Sequence, residues 1–425
     1  MTIHRTVLDN GIVVIAIENS AADIIASRIF FRVGSQCEPL EKLGLSHLLS
    51  AVITKGTEQL SSIEIAERVE SVGAYLSADA ANDYFLLSLK TVSTDWSEML
   101  QLAGEILRSP SFPESEVELE KHLTIQGIRS QKEQPFTVAH EQLRRIIYPN
   151  HPYGTSIMGT EATVSSLSRT DLELYHQTHF HPNNMVISIA GRITPEEAVE
   201  QVKRVFGDWQ LTEKLPAKPQ FSSPTSYPCQ VKTPQETQQS IVMLGYLASS
   251  VQEKDYATLK LLSTYLGNGL SSRLFVELRE KRGLAYDVSA FYPTRQLASI
   301  FAVYIGTAPE NTEIAFDGLR TEVERLCTTQ LSFDELQTAK NKLLGQYALG
   351  KQTNAQLAQV YGWYETLGLG IEFDLKFQQD VAQVAPIKAQ AVAQRYFIEP
   401  YVSLVGPAEA INSLVTNHKV KALSL

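Results

Sequence analysis

Three imidazoles lie within six residues in His176-Gln-Thr-His179-Phe-His181, the strongest local invitation to a metal in the sequence. A protein zinc site needs three or four converging ligands, and no cysteine or carboxylate is interleaved with these histidines. At the end of a helix, exposure and a favourable contact with the helix dipole account for them more simply. Gly44-Leu-Ser46-His47-Leu has the opening of a hydrolase nucleophile elbow, but the closing glycine is missing and the segment reads as helix interior. Gly267-Asn-Gly269-Leu-Ser-Ser is too short for a phosphate or dinucleotide fingerprint and predicts a tight turn before a helix at Arg273-Leu-Phe. Cys37, Cys229 and Cys327 are odd in number and never spaced C-x-x-C, which argues against both a disulfide framework and a cysteine zinc site. A reducing, cytoplasmic setting is the expectation.

These groups sit in 425 residues, 44% hydrophobic, which is more chain than one ordinary core uses, so two domains or a duplicated one are expected. A formal charge of -10 disfavours nucleic acid as the main ligand and leaves basic or extended peptides as better partners. No stretch approaches the roughly 18 apolar residues of a membrane span, and the start shows no signal-peptide core, so a soluble chain is expected.

The elements that must position any site are legible in part. Residues 7–34 alternate as strands around the Asn10-Gly11 turn. Helices are predicted over 43–54, over 62–71 behind the Ser-Ser-Ile-Glu cap, and over 96–108, with hairpin-like strands at 74–78 and 84–89. An internal repeat then decides the architecture. Ile29-Phe-Phe-Arg-Val-Gly followed by Leu45-Ser-His-Leu-Leu-Ser pairs with Ile241-Val-Met-Leu-Gly-Tyr followed by Leu259-Lys-Leu-Leu-Ser-Thr. Glu116 and Glu335, each opening a long helix, are 219 positions apart; Gly191 and Gly406, each closing a strand, are 215 apart. The serine- and proline-containing stretch 212–228 reads as an extended linker. The expected fold is α+β: two homologous halves, 1–211 and 229–425, each a mostly antiparallel mixed sheet with helices on one face.

Further along, Glu38-Pro-Leu-Glu-Lys-Leu-Gly44-Leu-Ser-His47-Leu-Leu-Ser50-Ala51 through Lys55-Gly-Thr57 resembles the signature region of the pitrilysin/insulinase-type (inverzincin) metallopeptidases. Asn150-His-Pro-Tyr-Gly, Asn183-Asn-Met-Val-Ile-Ser-Ile-Ala-Gly191 and Ser272-Arg-Leu-Phe through Leu278-Arg279-Glu-Lys-Arg-Gly283-Leu-Ala-Tyr286 resemble later family stations, in order, over nearly the whole chain. In that family two histidines four residues apart bind zinc, an intervening glutamate activates water and a distant glutamate completes the site. Carried onto this sequence, the resemblance keeps the first histidine as His47 but puts Ser50 at the catalytic glutamate, Ala51 at the second histidine and Gly127 at the third ligand. One imidazole cannot hold zinc against solvent, so no metal or other cofactor is expected on this chain and His47 becomes a packed helix residue.

The resemblance also implies that the two halves form a clam-like half-chamber, and it implies roles for what has been kept. Arg279 and Tyr286 match a family arginine and tyrosine that reach the substrate beside the zinc, where guanidinium and phenol can hold a peptide carbonyl and its developing oxyanion. The alternative is structural: a salt bridge or cap for Arg279 and a hydrogen-bonded hydroxyl for Tyr286. Ala74-Tyr75-Leu76-Ser77-Ala78 corresponds to the family's substrate-pairing strand. Together these imply a non-catalytic, substrate-binding subunit resembling those of two-chain processing peptidases, inactive alone, whose paralogous partner bears the zinc; the isolated chain could form a homodimer. A scaffold of the same fold with no part in proteolysis is the competing expectation, and a self-sufficient hydrolase using His47 or the 176–181 histidines ranks last.

Overall fold

The computed structural model describes residues 2–210, 221, 224, 227–412, 414 and 421–422, so most of the stretch read as a linker, 212–228, lies outside the described residues. In a first sheet, β1 (Ile3–Val7), β2 (Val13–Glu18), β3 (Ile24–Phe31), β4 (Tyr75–Ala80), β5 (Phe85–Val92) and β6 (Met185–Gly191) run in the order β1-β2-β6-β3-β5-β4. In a second, β7 (Cys229–Pro234), β8 (Ser240–Ala248), β9 (Asp287–Phe291), β10 (Ser299–Thr307), β11 (Tyr401–Gly406) and β12 (Lys421–Ala422) run in the order β12-β7-β11-β8-β10-β9. Five strands of each correspond in order and sense. β2 pairs with β6, and β7 with β11, in parallel; β3 and β8 each run antiparallel to both neighbours. The offsets in the sequence are thus a repeat of topology, and the fold is α+β with two similar halves.

Several helices follow from local chemistry. Ser62–Ser71 is opened by a reciprocal capping box between Ser61 and Glu64. Trp96–Arg108 presents Trp96, Met99, Leu100, Ala103 and Leu107 at helical spacing, and all are buried. Its indole Nε1 donates to Ser27 Oγ on β3 at 2.8 Å, which satisfies two buried polar atoms and fixes that helix on the odd-numbered face of β3. On the same face Phe31, Phe85 and Phe180 pack with ring centroids 4.4 and 4.9 Å from Phe180. Side chains of this size contribute roughly 1.5–3 kcal/mol each when buried.

The compact units do not coincide with the chain halves 1–211 and 229–425. The first comprises 1–128, 156–220 and 348–374, the second 129–155, 221–347 and 375–425. The cause is an exchange. Helix Asn354–Thr366, late in the chain, covers the other face of the first sheet, where the Cβ missing from Gly362 would stand 2.5 Å from Phe30 Cε2 and 2.8 Å from Ser188 Cβ. Glu365 on this helix holds Arg5 of β1 through two hydrogen bonds of 2.9 and 2.8 Å. Reciprocally, helix Pro135–Ile147 lies on the second sheet, with Leu143 and Ile147 against Gly245 of β8. Beyond the helices expected on one face of each sheet, the central strands are therefore covered on both, as the full burial of β6 and β11 shows. Among the described residues no helix is long and apolar enough to cross a membrane.

Candidate functional site

Helix Leu45–Val52 carries His47, Ser50 and Ala51. Its start requires glycine: Gly44 has φ +98°, and a Cβ there would stand 2.6 Å from Met158 O. Instead of a hydroxyl N-cap, the half-buried Glu38 carboxylate accepts from the backbone N–H of Gly44 at 2.8 Å and of Ser46 at 2.7 Å, and from the Ser46 hydroxyl. Burial pushes Glu38 up to about 7, against the hydrogen bonds from Ser46 and Gly44 that favour its charged form.

His47 is half-buried; burial lowers its pKa, while the Glu120 and Asp79 carboxylates act to raise it. Glu120 also pairs with Lys55 at 3.3 Å. The Ser50 hydroxyl donates to His47 O at 2.7 Å, so it is committed to its own helix. Gly127 lies on helix Glu114–Lys132, where a Cβ would meet Met158 Cε at 2.8 Å. A thioether methyl thus faces the position of the third ligand. Among the described residues no group of three or more histidines, cysteines or carboxylates is placed to hold a metal ion. The residues present do not fit zinc. Glu120 and Met158 were not foreseen; the only signal was that Glu120 lies seven residues, two helical turns, before Gly127.

Strand β4, covering four of the five residues 74–78, pairs with β5 and is the edge of its sheet. Leu76 and Ala78 pack against the core, whereas Tyr75 is 51% exposed. The outer edge has no strand partner among the described residues, and its backbone groups can accept an added strand.

Arg279 lies in the last turn of a π-helical segment, Phe275–Glu280, and its guanidinium lies 5.0 Å from the Phe275 ring centroid. The chain then reverses through Gly283 at φ +62°, with Gly283 N–H donating to Arg279 O and Leu284 N–H to Leu278 O. Tyr286 enters β9 by donating its N–H to Gly306 O at 2.8 Å, and its side chain is 60% exposed. Among the described residues neither the guanidinium nor the phenol has a hydrogen-bond or ion-pair partner.

Residues 13–161 match the insulinase family, peptidase family M16, and residues 166–343 match the peptidase M16 inactive domain. The chain belongs to peptidase family M16. It is 27% identical to an uncharacterized zinc protease of Rickettsia felis over 84% of this chain and 85% of that one. It is 25% identical to the uncharacterized zinc protease YmxG of Bacillus subtilis over 96% and 98% respectively. In fold this M16 chain is similar to a peptidase M16 inactive domain from Pseudomonas fluorescens (TM-score 0.86, 22% identity) and to a protease from Helicobacter pylori (TM-score 0.89, 21% identity), covering 96% of this chain and 99% of each of those.

The histidines at 176–181 of this M16 chain are held differently from the exposed cluster expected. His176 is buried, hydrogen-bonded through Nε2 to Leu107 O at 2.8 Å and stacked on Phe180. Burial brings both His176 and His179 down to about 4. His181 Nε2 contacts Thr178 O at 3.0 Å. The three rings serve packing and helix termination; the sequence offered the residue types but not the apolar neighbours Phe112 and Phe180 that enclose His176.

Proposed function

We propose that this M16 chain is the non-catalytic, substrate-binding subunit of a two-chain zinc metallopeptidase. A paralogous partner supplies the zinc ion and general base, and this chain supplies Arg279 and Tyr286 to that active site in trans, where both can donate to the scissile carbonyl and its oxyanion. The edge of β4 offers backbone pairing to an extended peptide, with affinity that depends little on sequence. A reducing cytoplasm is the compartment consistent with three cysteines lacking any paired spacing. The observation that carries the reading is a contrast of side chains: the metal positions His47, Ser50, Ala51 and Gly127 together offer zinc a single imidazole, while Arg279 and Tyr286 are exposed and their polar ends have no hydrogen-bond or ion-pair partner among the described residues. Two-chain peptidase action requires that division of labour.

The test is reconstitution with an M16 paralogue carrying an intact His-x-x-Glu-His. Adding this chain should raise peptide cleavage well above either chain alone, and Tyr286→Phe should remove most of the gain. Cleavage that is the same with the Tyr286→Phe chain as with the wild type would leave the scaffold role instead.

A further inference from the structure

The second unit contains a cleft of about 360 Å³ whose walls include Ser271, Ser272, Val276, Thr338, Ala339 and Lys342. It lies between helix Tyr256–Gly267, the turn that follows, and helix Phe333–Leu349. Under the repeat, these two helices are the second copy of Leu45–Val52 and Glu114–Lys132, with Lys342 standing where Leu123 stands in the first.

Most charge around the cleft is already neutralised. Arg273 pairs with Glu322 at 2.7 Å and with Glu277 at 3.0 Å, and Glu277 also holds Lys281 at 2.8 Å. Glu335 accepts from the Tyr265 hydroxyl at 2.8 Å and pairs with Arg325 at 3.4 Å. Asp334 is exposed at the rim. Lys342 is the exception: among the described residues its ammonium has no carboxylate partner and makes one long contact, 3.4 Å, to Ser271 Oγ. Beside it the Ser272 hydroxyl is buried, the residue 2% exposed, with no hydrogen-bond partner. A buried hydroxyl left unmatched costs roughly 1–3 kcal/mol, which a ligand acceptor would recover.

The turn is shaped around the ammonium. Gly269 has φ +77°, and a Cβ there would stand 3.2 Å from Lys342 Nζ. Ser272 N–H closes the turn onto Gly269 O at 3.0 Å, and the amides of Asn268 and Gln346 exchange hydrogen bonds of 2.6 and 3.2 Å that tie it to the second helix. Val276 and Ala339 add apolar wall.

We propose that this cleft binds the carboxylate of a small organic acid or short peptide, with Lys342 and the hydroxyls of Ser271 and Ser272 on the carboxylate and the organic body against Val276 and Ala339. An ammonium and hydroxyls complement one negative charge, the apolar wall calls for carbon, and the volume suits a molecule of dipeptide size. The site is independent of the roles given to Arg279 and Tyr286.

The experiment uses the full chain and three probes followed by NMR or calorimetric titration: Ala-Ala, its C-terminal amide, and orthophosphate. Ala-Ala should bind, the amide should bind at least about tenfold more weakly, Lys342→Met should abolish the difference, and Lys342→Arg should restore it. Ser272→Ala should weaken Ala-Ala several-fold with an unchanged melting temperature. Equal binding of acid and amide, no binding of either, or binding of phosphate alone would each overturn the assignment.

Discussion

Two regions that the M16 pattern assigns to chemistry have diverged in opposite ways. Around helix Leu45–Val52 several positions are internally satisfied: Ser50 bonds back to its own turn, Met158 fills the space before Gly127, and Glu38 caps the helix. Within 275–286, by contrast, the polar ends of Arg279 and Tyr286 have no hydrogen-bond or ion-pair partner among the described residues: Arg279 stacks on Phe275 and Tyr286 projects from a strand start. Side chains that lose a job tend to be absorbed into packing; side chains that stay exposed and unpaired in defined backbone geometry need another reason to be there. The proposal that the second region is the functional one rests on this difference.

That contrast can be broken most directly by substitution on both sides. In the reconstituted pair, Arg279→Ala and Tyr286→Phe should each lower kcat by about 10²–10³-fold, with chemical denaturation shifted by no more than about 0.5 kcal/mol. His47→Ala should leave turnover within about twofold; a large loss there would reverse the roles of the two regions. Next in size, Gly362→Leu forces a side chain into Phe30 and Ser188, and should cost about 3 kcal/mol in urea unfolding without touching either region.

The degenerate metal positions sharpen the comparison further. Ser50→Glu, Ala51→His and Gly127→Glu together should create zinc affinity measurable by competition with a chromogenic chelator. Adding Met158→Ala should tighten it by roughly tenfold or more, since overpacking costs about 1–3 kcal/mol. Equal affinity with and without Met158 would mean that the methyl blocks nothing.

The smallest effect concerns pH. The folded chain keeps His176 at about 4, below the ordinary histidine value, so the unfolded chain binds the extra proton first as pH falls. The contribution is full above about pH 6.5 and declines toward 4; replacing His176 by Gln should reduce the loss of stability between pH 6.5 and 5 by about 1.5 kcal/mol, read from urea midpoints.

Much of this architecture was legible where the signal was local. The Ser61–Glu64 box and the apolar stripe beginning at Trp96 mark helices that fall on the predicted residues, and nearly constant offsets in the repeat foretold matching sheets. Which residues stand at the four metal positions could be read directly. What escaped was non-local. No pattern in 354–366 says which sheet that helix covers, because the decision lies in the fit of Gly362 to Phe30, more than 300 residues away. The burial of His176 depends likewise on Leu107 and Phe112, and the opposition of Met158 and Gly127 on a loop returning to a distant helix.

The exchanged helix Asn354–Thr366 has a consequence for how the chain is made. A ribosome that has released the whole first sheet has not yet synthesised the segment that shields Phe30 and Ser188, so an apolar surface must wait, bare, for about 160 more residues, some ten to thirty seconds at ordinary elongation rates. Maturation of the first unit is therefore timed by synthesis of residues 348–374, after most of the second unit has been made.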